Sequence, residues 1–417
     1  LPASRSTELS PRRERRLAIV TSHPIQYYAP WFRHVAGTGE VHLRVFFLFQ
    51  PAREGLFDRG FGHDVEWDMP LLEGYEHEFV PNTSKAPGTH HFGGLKNPRL
   101  SARLRAFDPD AVLLVGYNYW SLIDLVLTWP ARRAPLMLRG DSHRLLPEES
   151  WRGRFKAMLL RLLFTRFSAF LYVGTANRRY FELHGVEPAR LFHAPHAVDN
   201  ARFMADQENV REAAFEWRRE LGISDANLVV LFAGKFEQKK RPLDLLEAFL
   251  RRGQEGVTLL FVGAGELESE LRRRAASRAN VVFAPFQNQS YMPRTYAACD
   301  LFVLPSHGRY ETWGLAVNEA MCLGKPVVVS SHVGCAADLV EPGRTGLVFE
   351  AGDVAALERA LEQALADRAR LRQWGEQARA LVREFSYEAA GKGLLRAFAH
   401  VTRTGAKQAA GQRERSA

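Results

Sequence analysis

The chain has 417 residues, too many for one compact core, and its 46% hydrophobic and 25% charged content describes an ordinary globular protein in two domains. No run of about 18 apolar residues could span a bilayer, and no apolar signal-peptide core follows the basic start. The net charge of +9 is concentrated in residues 1–16, 151–166 and 403–417, so it does not describe a folded basic face with stacking aromatics of the kind that binds nucleic acid.

In chain order, a polar basic stretch (1–16) reads as a disordered tail. Strand and helix then alternate. "RLAIVT" (16–21), "VHLRVFFLF" (41–49), "AVLLVG" (111–116), "PLMLR" (135–139) and "AFLYVG" (169–174) read as buried parallel strands. Helices are expected at 24–36, 98–107 and 151–167, and residues 50–97 form a long irregular insertion. A second series follows: "LVVLFAG" (228–234), "VTLLFVGAG" (257–265), "NVVFAP" (280–285), "DLFVLPS" (300–306) and "KPVVVS" (325–330). Such alternation predicts a doubly wound sheet, twice over. The break lies near "HAPHAVDNARF" (193–203), giving α/β domains at 17–199 and 200–385, a last helix at 386–402 and a disordered tail at 403–417. Three cysteines, an odd and low number, fit a reducing, cytoplasmic compartment.

Chemistry gathers where strands end. "FAGKFEQKKRP" (232–242) places Gly234, Lys235 and Lys240 beside a strand end, where open α/β sheets bind ligands. Alone, such a glycine is a tight turn and the lysines are solvated. In "HGRYETWGLAVNEAMCLGKPVVVS" (307–330) a helix starts near Gly314, with Glu311 before it and Glu319 inside it. Unpaired amides from Thr312 and Trp313 to Leu315 suit phosphate. Carboxylates on either side suit sugar and ribose hydroxyls. The plain alternative is a capping carboxylate and a surface glutamate.

This combination resembles the retaining glycosyltransferases of family 4, which carry two Rossmann-like domains facing a cleft, the GT-B fold. "TWGLAVNEAMCLGKPVV" looks like that family's glutamate-bearing run, and "AGKFEQKKRPLDLLEAF" is similar to its lysine-bearing one, with Lys235 where an arginine is usual. "LLFVGAGELESEL", "YAACDLFVLPS" and "GCAADLVEPGRTGLVFEAGD" follow in the family's order. The likeness is dense over residues 195–400 and loose before them.

The resemblance implies transfer of a sugar from a nucleotide-sugar donor to a hydroxyl acceptor (a lipid-linked sugar, polysaccharide or small molecule) with retained anomeric configuration. It also implies front-face attack and a last helix crossing back to the first domain. Glu311, Lys235, Lys240 and His143 are the expected catalytic residues. Glu319, Thr312, Trp313, Gly314, Leu315, Gly234, Phe286 and His23 are expected at the donor. Gln26, Tyr27, Arg139 and Asp141 are expected on the acceptor side. The family's usual Gly-Gly turn after the first strand is replaced by "TSHPIQYYAPWF", which brings His23, Gln26 and Tyr27 into consideration. "FDPDAV" (107–112) holds the Asp-x-Asp of the other glycosyltransferase fold, but it precedes a strand and reads as a turn, so no cofactor or metal is expected. Two other readings keep the fold: a sugar-nucleotide epimerase or phosphorylase, and a non-catalytic sugar-nucleotide-binding protein. Residues 151–166 read either as a contact with an anionic membrane or as a helix packed between sheet and solvent.

Overall fold

In the computed structural model the described residues are 14–50, 56–58, 63–130, 132–145, 150–253, 255–276 and 278–414. Thirteen residues of the expected N-terminal tail fall outside them.

Two parallel sheets organise the molecule. The first has seven strands in the order Glu76–Phe79, His42–Phe47, Arg16–Thr21, Ala111–Val115, Leu136–Gly140, Phe167–Tyr172, Leu191–His193. The second has six: Val281–Ala284, Val257–Val262, Leu228–Ala233, Leu301–Leu304, Val327–Ser330, Gly346–Phe349. The central strands are near-continuous runs of Val, Leu, Ile and Phe because helices cover both sheet faces. Each domain therefore has two apolar layers, one on each side of its sheet.

Three strands of these two sheets, and the short antiparallel pair Leu56–Asp58 and His63–Val65, are absent from the sequence reading. Glu76–Phe79 is a charged edge strand without an apolar run, and Leu191–His193 and Gly346–Phe349 are short. The insertion is thus partly ordered. Its strand 76–79 extends the first sheet, and buried Asn97 staples it by donating to the carbonyls of Leu48 (2.9 Å) and Val80 (2.8 Å). The first helix begins at Ala29 rather than residue 24, since residues 25–28 form a turn closed by the Tyr28 and Ala29 amides on the Ile25 carbonyl.

The last helix, Tyr387–Glu414, lies against the first domain. Its Ala390, Leu394, Ala397 and Phe398 share one core with Trp31, Phe32 and Val35. Helical backbone continues through residues expected to be a tail, which are rich in the good helix formers Ala, Lys, Gln and Arg. Among the described residues, no helix is long and apolar enough to cross a membrane.

Candidate active site

The C-terminal strand ends of the two sheets face each other across a cleft of about 490 Å³. The loop 311–314 and the helix Leu315–Cys322 form its floor on the C-terminal side. Gly314 adopts φ +99°, and a Cβ there would press within 3.0 Å of Leu304 and Val333. The neighbouring loop fixes this turn: the amides of Gly334 and Cys335 donate to the carbonyls of Glu311 (3.0 Å) and Trp313 (2.9 Å). Gly334 has no substitute here, since a Cβ would lie 1.9 Å from the Thr312 carbonyl oxygen. With those carbonyls engaged and a helix starting at Leu315, the first helical N–H groups are directed at the cleft.

Glu311 and Glu319 both line the cleft but differ in their surroundings. Glu311 accepts from Lys240 Nζ and from Ser306 Oγ (2.8 Å). Glu319 is only 2% exposed and accepts from Tyr27 Oη (3.2 Å) and Tyr296 Oη (2.7 Å). Burial raises its carboxyl to about 7, against the lowering effect of those hydroxyls and of the Arg202 charge. Gly234, Lys235 and Phe286 line the cleft on the same side.

The opposite wall is supplied by Gln26, Tyr27 and Asp141 of the first domain and by His196 of the connection between domains. Asp141 Oδ2 accepts from Thr312 Oγ1 at 2.8 Å and lies 3.7 Å from His196 Nε2. Enclosure would raise the Asp141 carboxyl, but His196 and Thr312 outweigh it and hold the group down at about 2. Burial lowers the His196 imidazole, against the opposing pull of Asp141.

Three expected residues, Arg139, His23 and His143, are placed differently from the sequence reading. Arg139, 2% exposed, does not line the cleft: it donates to the carbonyls of Ala194 (2.6 Å) and Pro195 (3.1 Å) and stacks over Trp31 at 4.7 Å. It fixes the connection that presents His196. His23 turns to Ser22 Oγ (3.0 Å), and burial lowers its imidazole to about 4. His143 lies in an adjoining cavity, its Nδ1 accepting from the Leu145 amide at 3.3 Å. Trp313 lines the cleft but is buried, its Nε1 donating to Asn318 Oδ1 at 2.8 Å. In the Asp-x-Asp turn, Asp110 accepts from the Arg16 amide (2.7 Å) and Asp108 ends a helix in the left-handed region, away from the cleft.

Sequence reasoning missed His196, Tyr296 and Trp67, although the first two stand inside runs it had singled out. Trp67 belongs to the insertion. It lies edge-on to Phe286 at 6.3 Å, and flanking Asp68 accepts from the Ser290 amide at 3.1 Å, so the first domain reaches over the cleft rim of the second. The three cysteines are buried, and burial raises their thiols, Cys299 to about 12, which removes them as nucleophiles.

The family model described as glycosyl transferases group 1 matches residues 214–381, which hold Lys235, Lys240, Glu311 and Glu319. The matched stretch covers most of the C-terminal domain. The chain is 31% identical to a D-inositol 3-phosphate glycosyltransferase of Nocardia farcinica over 53% of this chain and 50% of that protein. It is also 31% identical to a GDP-mannose-dependent monoacylated alpha-(1-6)-phosphatidylinositol monomannoside mannosyltransferase of Corynebacterium glutamicum, over 56% of this chain and 63% of that one. The chain thus spans about half to two thirds of the length of these two relatives. A D-inositol 3-phosphate glycosyltransferase of Rhodococcus erythropolis aligns at 29% identity over 93% of this chain and 91% of its own length. Among solved structures, Anabaena HepE in complex with UDP and glucose superposes with a TM-score of 0.69 at 19% identity, covering 93% of this chain and 100% of that one. Sucrose-phosphate synthase from Thermosynechococcus elongatus gives 0.70 at 17%, covering 94% and 100%. These likenesses show the GT-B fold.

Proposed function

We propose that the protein is a retaining glycosyltransferase that moves a sugar from a nucleotide-sugar donor to a hydroxyl acceptor in glycoconjugate synthesis. The observation that carries this reading is the Glu311–Lys240 pair at an amide-rich helix start, with Glu319 on the same helix and Asp141 facing it. The diphosphate lies between Lys235, Lys240 and the amides of Thr312 to Leu315, which stabilise the charge that develops on departure. Glu311 receives hydroxyls of the transferred sugar, and Glu319 those of the ribose.

The anomeric carbon–phosphate oxygen bond breaks while the acceptor oxygen bonds to that carbon from the same face. The acceptor proton passes to the departing phosphate oxygen, and the nucleoside diphosphate leaves. The residues supply positioning and charge, and the reading requires no metal. Each carboxylate oxygen of Glu319 can accept more than one hydrogen bond. Tyr27 nevertheless covers it, so the ribose takes the place of the Tyr27 hydroxyl.

A membrane-bound acceptor is supported by the helix Trp151–Phe164. It buries Gly153, Leu160 and Phe164 while Trp151 (72%), Phe155 (54%), Met158 (56%), Leu159 (49%) and Leu162 (68%) stand exposed. Their spacing forms one helical stripe, and Arg152, Arg154, Lys156 and Arg161 flank it. That combination suits a peripheral contact with an anionic membrane.

The test is product analysis of the purified chain with a panel of UDP-, GDP- and dTDP-sugars, with and without EDTA. The reading predicts that one donor releases its nucleoside diphosphate with the sugar in unchanged anomeric configuration and that the chelator leaves the rate intact. Inverted product, or activity lost to EDTA and restored only by a divalent cation, would refute the mechanism.

A further inference from the structure

The cleft runs along the strand ends of the second sheet. Glu311 follows the strand Leu301–Leu304, Lys235 follows Leu228–Ala233, Gly263 follows Val257–Val262 and Phe286 follows Val281–Ala284, and all four line the cleft. These strands are consecutive neighbours in the sheet, with Val281–Ala284 at its edge. A donor with its sugar at Glu311 and its diphosphate at Lys235 therefore points its nucleoside toward that edge. Glu319, which receives the ribose in that reading, agrees with the direction: its partner Tyr296 stands on the helix Met292–Ala297, soon after Phe286. The loop after the edge strand is held in place from its own domain. Arg294 donates to Gln287 Oε1 at 2.9 Å, and Arg202 grips Gln289 at its carbonyl and at Oε1 (2.8 Å). A stretch of the first domain reaches the same loop. Asp68 accepts from the Ser290 amide (3.1 Å) and from Ser290 Oγ, and the Glu66 carbonyl accepts from Asn288 Nδ2 at 2.6 Å. Trp67, between these two anchors in the chain, is half-buried, lines the cleft and meets Phe286 edge-on at 6.3 Å.

Trp67 belongs to none of the four apolar layers among the described residues. Its backbone is fixed on both sides by polar bonds to the other domain, not by core packing, and this leaves the ring to the cleft. Nucleobases stack on aromatic faces, and aromatic rings also pair edge to face, so a base can lie on one ring while the second closes its rim. We propose that Trp67 of the first domain stacks on the nucleobase of the donor and that Glu66 and Asp68 strap it across the cleft. The proposal rests on the donor reading above and adds a base contact supplied by the opposite domain. Asp68 is a positioning residue that acts through Trp67. Asp68 and Ser290 are both exposed, where a hydrogen bond competes with water, so the strap opens at small cost and admits the nucleotide.

The test is calorimetry on the full chain with UDP, GDP, ADP and dTDP, and with inorganic pyrophosphate, which lacks the base. Trp67→Ala should weaken the nucleoside diphosphate that the parent binds by about tenfold, within the range of a base–aromatic stack, and leave pyrophosphate unchanged. Trp67→Phe should keep most of the affinity. Asp68→Ala should weaken the nucleotide about threefold, the size of a net hydrogen bond. Trp67→Ala with Asp68→Ala should bind no more weakly than Trp67→Ala alone, because Asp68 acts through the ring. The nucleotide should quench tryptophan fluorescence in the parent and less in Trp67→Phe. A Trp67→Ala chain that binds the nucleotide as the parent does, or that loses nucleotide and pyrophosphate in equal measure, overturns the stack. Additive losses in the double variant overturn the strap. A parent that binds none of the four nucleotides overturns the donor reading and the stack with it, whereas a parent that binds one and is unaffected by Trp67→Ala overturns the stack alone.

Discussion

The hydroxyl of Tyr27 in the first domain donates to Glu319 Oε1 in the second, 3.2 Å across the cleft. The turn after the first strand and the helix Leu315–Cys322 are thereby linked. If the ribose replaces this hydroxyl, the bond competes with substrate. Tyr27→Phe should therefore tighten nucleoside diphosphate binding by about three- to tenfold, the range of a net hydrogen bond. Calorimetry on parent and variant checks this, and weaker binding by the variant would make Tyr27 a donor contact instead.

Glu319 also sets a pH dependence. Its carboxyl is raised to about 7 from an ordinary 4.5, so between those values the folded chain binds more protons than the unfolded one. Stability then falls as pH rises through this window, and the cost is complete above it. Glu319→Gln keeps an acceptor and a donor for the two tyrosines and removes the charge. It should raise the melting temperature at pH 8, by at most about 3 kcal/mol in free energy, and by much less at pH 5. An equal effect at both pH values would contradict the burial of an ionised group.

The two glutamates should separate kinetically. Glu319→Ala should weaken nucleoside diphosphate binding about ten- to a hundredfold, while Glu311→Ala lowers turnover with binding nearly unchanged. The Glu311 effect includes the release of Lys240 from its partner. Steady-state rates beside calorimetry separate the two roles.

Much of this was legible because local pattern carries it. The apolar runs at 228–233 and 257–262 are strands wherever they are read, and Glu311, Gly314 and Glu319 need only a helix start between them. Arg139 was misplaced for a physical reason. Its strand is buried on both faces, so alternation does not say which side the guanidinium takes, and the carbonyls that hold it lie 55 and 56 residues away. Trp67 was invisible because its significance comes from Phe286 and from the bond of Asp68 to Ser290, 222 positions distant. The exposed stripe on Trp151–Phe164 was obscured by basic residues on both sides of it. Only the packing of Gly153, Leu160 and Phe164 reveals which face is left outward.

That stripe should bind membranes. The chain should sediment with vesicles containing an anionic lipid at low salt, less at high salt, and weakly with neutral vesicles. Trp151→Ser with Leu162→Ser should reduce sedimentation while leaving nucleoside diphosphate binding intact. Equal recovery in the supernatant under all conditions would leave the helix without a membrane role.

The central claim is that the cleft is a nucleotide-sugar site built on Lys235, Lys240 and the helix start at Gly314. Calorimetric titration of the parent with UDP, GDP, ADP and dTDP, repeated on Lys235→Ala with Lys240→Ala, tests it most directly. One nucleoside diphosphate should bind one-to-one, and the double variant should bind it about a hundredfold more weakly, as expected for losing charged contacts to the diphosphate. Binding of none of the four to the folded parent, or equal binding to both proteins, would contradict the assignment of the cleft.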